Sequence, residues 1–92
     1  MKQIKIEAFS SPGCSKCKRA KDILRKTVAE MESNFIEWRE VDILEELDYS
    51  VELGVLSTPA IAVNGKLVFT GLPSAAKLRD FLNRIILESV EE

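Results

Sequence analysis

Histidine is absent from this 92-residue chain and cysteine occurs only twice. No apolar run approaches the roughly 18 residues that a membrane span needs, so no membrane partner is expected. Each absence removes a class of function. A closed zinc site takes four Cys or His ligands; two cysteines without histidine reach that number only if two chains share the metal. The 13 Lys and Arg against 15 Asp and Glu leave a net charge of −2. Phosphate binding wants a basic surface, so nucleic acid is excluded as the main partner. There is no internal repeat, no low-complexity tract and no linker composition. The reading is a single domain over residues 1–92, with one small core.

The first residues, Met1 to Glu7, alternate apolar and charged side chains, which is not the pattern of a signal peptide. The expected location is therefore cytoplasmic, where reducing systems keep structural disulfides rare. In that setting a C-x-x-C pair reads as catalytic or metal-binding rather than as a staple.

What is present is well patterned. Ile4, Ile6 and Ala8 alternate with Lys5, Glu7 and Phe9, the period of a strand. Ser10 to Gly13 break the chain. From Cys17 the period changes: Cys17, Ala20, Leu24, Val28 and Met31 recur at helical spacing, and Ser33-Asn34 is expected to end that helix. Phe35 to Ile43 mixes β-branched and aromatic residues with charge, which suits an edge strand. A second helix is expected over about Leu44 to Leu53, stopped by Gly54. Pro59 to Val63 and Lys66 to Thr70 flank Asn64-Gly65, a hairpin whose two-residue turn needs φ > 0 at both central positions. Ser74 is placed to cap a last helix with the face Ala75, Leu78, Phe81, Leu82, Ile85 and Ile86, fraying from Ser89 to Glu92. The order is β-α-β-α-β-β-α, with the first two strands parallel through a right-handed crossover.

The chemistry concentrates in Ser11-Pro12-Gly13-Cys14-Ser15-Lys16-Cys17. Cys14 falls at or near the first position of the long helix, where orphan N–H groups and the helix dipole favour an anion. A thiolate is such an anion, and Lys16 and Lys18 add to the effect. Cys17 lies in line with the apolar stripe and should point inward, while Cys14 is offset from it by roughly 60°. Cys14 is thus the exposed attacking thiolate and Cys17 the buried resolving thiol, one helical turn apart. Exchange with a substrate disulfide then runs through a mixed disulfide on Cys14 that Cys17 resolves. A competing reading uses the same thiolates for a soft metal, Cu(I) or a dimer-bridging Zn. A third treats the pair as packing residues. Downstream, Thr58-Pro59 opens a strand. A trans bond is the commoner case for X-Pro; a cis bond would leave the Thr58 backbone free to pair with an extended substrate. Residue type alone leaves that choice open.

Taken together, Gly13-Cys14-Ser15-Lys16-Cys17 after the first strand, Gly54-Val55-Leu56-Ser57-Thr58-Pro59-Ala60, Asn64-Gly65-Lys66 and Gly71-Leu72-Pro73-Ser74 resemble the minimal thioredoxin/glutaredoxin-like redox-active disulfide proteins of archaea and bacteria. The resemblance covers essentially the whole chain. It implies an α/β thioredoxin-like fold, a four-stranded mixed sheet of order 2-1-3-4 flanked by three helices. It implies a cis Pro59 beside the disulfide, Cys14 and Cys17 as catalytic residues, and Thr58 and Pro59 as substrate-binding residues. Gly13, Ser15 and Lys16 support the pair. The implied activity is thiol–disulfide exchange with protein disulfides by a monomer without a cofactor. The chain departs from thioredoxins in having Gly13 before the first cysteine, Ser15-Lys16 between the pair, and Ala8 where they carry a buried aspartate. It departs from glutaredoxins in Gly71-Leu72-Pro73-Ser74, where they bind glutathione. A thioredoxin-reductase-type electron donor is accordingly expected in preference to glutathione.

Overall fold

The fold is known from a computed structural model, which describes residues 3–31 and 35–90. Its elements are β1 (Ile4–Ser10), α1 (Ser15–Met31), β2 (Ile36–Asp42), α2 (Leu47–Leu53), β3 (Ala60–Val63), β4 (Lys66–Thr70) and α3 (Ala75–Val90). The order is the one the patterning predicts, and the sheet runs β2-β1-β3-β4. β1 pairs in parallel with β2, from Ile4↔Ile36 to Ser10↔Asp42. It pairs antiparallel with β3, from Ile6↔Val63 to Phe9↔Ala60. β3 and β4 form the hairpin. Asn64 and Gly65 both carry positive φ, 51° and 80°, as a two-residue turn that follows strand twist requires. The turn is tied to β1, because Asn64 N donates to Lys5 O at 2.8 Å and Lys5 N donates to Asn64 Oδ1 at 3.0 Å.

The alternation of β1 sorts the core into two layers. Ile4, Ile6 and Ala8 join Ile36, Ile61 and Val63 against Leu24 of α1 and Leu78 and Leu82 of α3. Phe9, Val41, Ala60 and Ala62 form the other layer, with Tyr49 and Leu53 of α2 packed on it. Thus α1 and α3 cover one face of the sheet and α2 the other. β3 is buried at all four residues, as a central strand covered on both faces must be. Trp38, half-buried on the edge strand β2, packs against the first layer.

Several boundaries differ from the sequence reading. α2 begins at Leu47 rather than Leu44, because Asp42 turns the chain first. Its carboxylate accepts the Leu44 N–H at 2.8 Å, and its carbonyl accepts those of Glu45 and Glu46. The end of α2 is as expected. Gly54 adopts φ 88°, and the N–H groups of Gly54 and Val55 bond back to Val51 O and Ser50 O at 3.0 Å each, closing the last turn. Ser74 caps α3 by accepting the Lys77 N–H at 3.1 Å. Ala75 is exposed instead of lying on the apolar face, and α3 is helical through Val90. The expected stop at Ser33-Asn34 and the last residues, 91 and 92, lie outside the described residues.

Candidate functional site

The functional residues gather at one end of the sheet, where β1 ends, β3 begins and β4 ends. Pro12 and Gly13 form the turn that leaves β1; Gly13 has φ 78°, a left-handed conformation that side-chain-bearing residues resist. That turn sets Cys14 immediately before the first residue of α1. The helix leaves its first N–H groups without intrahelical partners, and one of them is answered by sulfur: Cys17 N–H donates to Cys14 Sγ at 3.2 Å. Cys14 therefore occupies the capping position, where an acceptor of negative character is favoured.

Cys14 and Cys17 are joined in a disulfide with their Cα atoms 5.4 Å apart, inside the usual bridging range. The two sulfurs are not equivalent. Cys14 is half-buried, whereas Cys17 is 7% exposed and sits on the same buried stripe as Ala20 and Leu24. Ser15 and Lys16 are exposed at the start of α1. Among the described residues no group of three or more His, Cys, Asp or Glu is placed to hold a metal ion, and the soft-metal reading gains no support.

Thr58 and Pro59 come to the same end of the sheet. The Thr58-Pro59 peptide bond is cis, and Pro59 precedes Ala60, the β3 partner of Phe9. Pro59 O accepts the Gly71 N–H at 2.8 Å, which draws the β4–α3 loop in beside it. The connection to the cysteine loop is made by side chains: the hydroxyls of Ser11 and Thr58 are 2.7 Å apart and share a hydrogen bond. Ser11 was not singled out from sequence. Its partner lies 47 residues away, and nothing in either local pattern announces the pairing.

A second polar cluster, also missed, ties β1, β2 and α2 together beneath this end. Arg39 donates to Glu46 through Nη1 and Nη2, at 2.9 and 3.2 Å, and through Nη2 to Glu7 at 2.8 Å. Tyr49 donates its hydroxyl proton to the other oxygen of Glu7 and stacks near Phe9, with ring centroids 6.1 Å apart. The two carboxylates, that of Glu46 first, hold Arg39 firmly in its charged form. Hydrogen bonding to Glu7, then burial and the Glu7 charge, push the Tyr49 phenol up to about 12. A depression of about 500 Å³ borders this cluster, lined by Lys5, Glu37, Arg39, Tyr49, Asn64 and Gly65 among others. It includes none of Cys14, Cys17, Thr58 and Pro59, and its lining reaches the hairpin turn at the far end of the sheet.

Comparison with known proteins agrees with this geometry. The chain is 32% identical over 80 residues to a protein named "Probable Thioredoxin" from Methanothermobacter thermautotrophicus, covering 87% of this chain and 93% of that one. It is 30% identical over 84 residues to a thioredoxin of Methanocaldococcus jannaschii, covering 91% and 98% of the two chains. A single-residue mutant of a thioredoxin from Halobacterium salinarum superposes with a TM-score of 0.70 at 20% identity, over 87% of this chain and 72% of that one; at that identity the likeness speaks for the fold. The family model described as "Thioredoxin domain" matches residues 2–83. With that match, the relatives and a disulfide seated at a helix N-terminus, the chain belongs to the thioredoxin family of thiol–disulfide oxidoreductases.

Proposed function

We propose that the protein exchanges its Cys14–Cys17 dithiol and disulfide with protein disulfides, Cys14 acting as nucleophile and Cys17 as resolving thiol. One observation carries the assignment: the half-buried Cys14 sulfur caps the helix and accepts an N–H, while Cys17 is 7% exposed on the core stripe. The helix terminus favours the thiolate at Cys14, and the thiolate is the nucleophile. Its attack forms a bond to one substrate sulfur and breaks the substrate disulfide; the other substrate sulfur leaves as a thiolate and takes a proton from water. Cys17 then loses its proton and attacks Cys14 Sγ. The mixed disulfide breaks, the second substrate sulfur leaves, and the Cys14–Cys17 bond closes. Two electrons pass to the substrate.

Thr58 and Pro59 bind the substrate in this reading. Among the described residues the Thr58 backbone makes no hydrogen bond within the protein, which supports its pairing with an extended segment of the substrate. Lys16 and Lys18, exposed beside the pair, add favourable charge to the thiolate. Ser74 and Gly71 serve the fold, as a helix cap and a partner of Pro59 O. That use supports an electron donor of the thioredoxin-reductase type over glutathione. Among the described residues no helix is long and apolar enough to cross a membrane, and the reading places the protein in the cytoplasm.

The test is a trapping experiment. Cys17→Ser should accumulate a mixed disulfide through Cys14 with an oxidised protein substrate, visible on non-reducing gels and by mass spectrometry. Cys14→Ser should accumulate none. Equal trapping by both variants would sink the assignment of roles.

A further inference from the structure

α2 turns Tyr49 and Leu53 onto the core, but not all of its apolar residues follow them. It buries Ser50, 2% exposed, whose hydroxyl donates to Glu46 O at 2.9 Å. It leaves Leu47 at 54% and Val51 at 66% exposure. These two are four residues apart and so are neighbours on one helix face. Leu44 before the helix and Leu56 after it are 65% and 97% exposed. A lone exposed leucine is ordinary. Here, however, four of the six large exposed apolar residues among the described residues fall between positions 44 and 56, and exposed apolar residues grouped in this way are the material of interaction surfaces.

The charge carried by this stretch is of one sign, and Arg39, which reaches it from β2, is taken up by Glu46 and Glu7. From Glu40 to Gly65 the chain has no Lys or Arg and carries six carboxylates. Glu40 and Glu46 are engaged by Lys21 and Arg39; Glu45, Asp48 and Glu52 are exposed and make no ion pair among the described residues. The cations beside the disulfide, Lys16, Lys18 and Arg19, lie on α1, across the sheet from α2. The patch also adjoins the redox site, since Leu56 is two residues from Thr58, which holds Ser11.

Resting on the exchange reaction above, we propose that Leu44, Leu47, Val51 and Leu56 form a docking ridge for the disulfide-bearing partner, and that this partner meets it with an apolar surface rimmed by Lys or Arg. Basic side chains pair with Glu45, Asp48 and Glu52 and are turned away from α1, which fixes the orientation in which the substrate disulfide reaches Cys14. A second copy of this chain is a poor occupant, because two such ridges would bring like-charged carboxylates together.

Three synthetic peptides test this. Each contains a cystine-closed loop followed by an amphipathic helical segment: one with leucines on one face and flanking lysines, one with glutamates for the lysines, and one with serines for the leucines. Single-turnover rates are measured with the pre-reduced protein in excess. The leucine/lysine peptide should react at least about tenfold faster than either twin at low ionic strength. Its advantage over the glutamate twin should vanish in roughly 1 M salt, where the Debye length is about 3 Å. In the double variant Leu47→Ser/Val51→Ser, the leucine and serine peptides should react within about twofold of each other. Equal rates for all three peptides with the unaltered protein would overturn the ridge and leave the exchange reaction standing. Reduction of none of them would overturn both. Sedimentation of the unaltered protein as a dimer that the double variant dissolves would name a second copy as the occupant, and would also overturn the proposal.

Discussion

The hydrogen bond between Ser11 and Thr58 can be weighed by replacing Ser11 with Ala and Thr58 with Val, singly and together. Both residues are half-buried and their hydroxyls are 2.7 Å apart. A neutral hydrogen bond of this kind contributes about 0.5–1.5 kcal/mol net. A fully buried orphan would cost up to about 3 kcal/mol, but a half-buried hydroxyl left by its partner is able to recruit water, so the cost stays near 1 kcal/mol. Each single variant should therefore lose about 1 kcal/mol, a factor of about five in the unfolding equilibrium, and the double variant little more than either. The coupling energy should fall at about 0.5–1.5 kcal/mol. The assay is urea unfolding of the disulfide form, followed by fluorescence of the sole tryptophan, Trp38, which packs on the core. With an m-value near 1 kcal/mol/M for so small a chain, each midpoint should drop by about 1 M. If the double variant loses the full sum of the two singles, the hydroxyls are uncoupled. The claim that this bond holds the cysteine loop to the Thr58-Pro59 loop would then be wrong.

Tyr49 is the only tyrosine, so its ionisation is readable from tyrosinate absorbance. It should titrate near 12 rather than near 10, and Glu7→Gln should bring it back toward 10 by removing the charged acceptor. Because the folded value is raised, the stabilisation from this group is complete below pH 10 and is lost as pH climbs from 10 to about 12. Stability that stays flat across that window in the native protein would contradict the Tyr49–Glu7 bond. In the core, Leu82→Ala should cost about 2–5 kcal/mol, since Leu82 is fully buried. Leu87→Ala, at 66% exposure, should stay within about 0.5 kcal/mol; similar losses for the two would refute the stated facing of α3. Gly54→Ala meets open space around its new Cβ, so its cost is backbone alone. A left-handed φ of 88° should cost about 1–2 kcal/mol, lowering the melting temperature by roughly 4–16 °C in a domain this small. An unchanged melting temperature would mean that α2 ends in some other way.

Local chemistry carried far in this protein. The period of two in Ile4, Ile6 and Ala8 and the period of three to four from Cys17 fixed which elements form and which way Cys17 faces. Asn64-Gly65, Gly54 and Ser74 announced a turn, a helix stop and a helix cap, because each of those conformations is demanded within a few residues. The same locality explains the unequal cysteines, since a helix start lies just after Cys14 and a buried stripe runs through Cys17.

Where the pattern was short, locality failed. α2 starts late because one Asp42 carboxylate and carbonyl capture three N–H groups, a competition that composition does not rank. The facing of α2 was equally hidden: seven residues give too few turns for a periodicity, and the helix buries a serine while exposing Leu47 and Val51. The Arg39, Glu7, Glu46 and Tyr49 cluster joins three elements, and the bond from Ser11 to Thr58 spans 47 residues. By itself the sequence determined the elements, their order and the unequal placement of Cys14 and Cys17. Only the tertiary structure decided what brings Thr58-Pro59 to that pair and which surface lies beside it, because those contacts are made by chain segments that meet only when the sheet has closed.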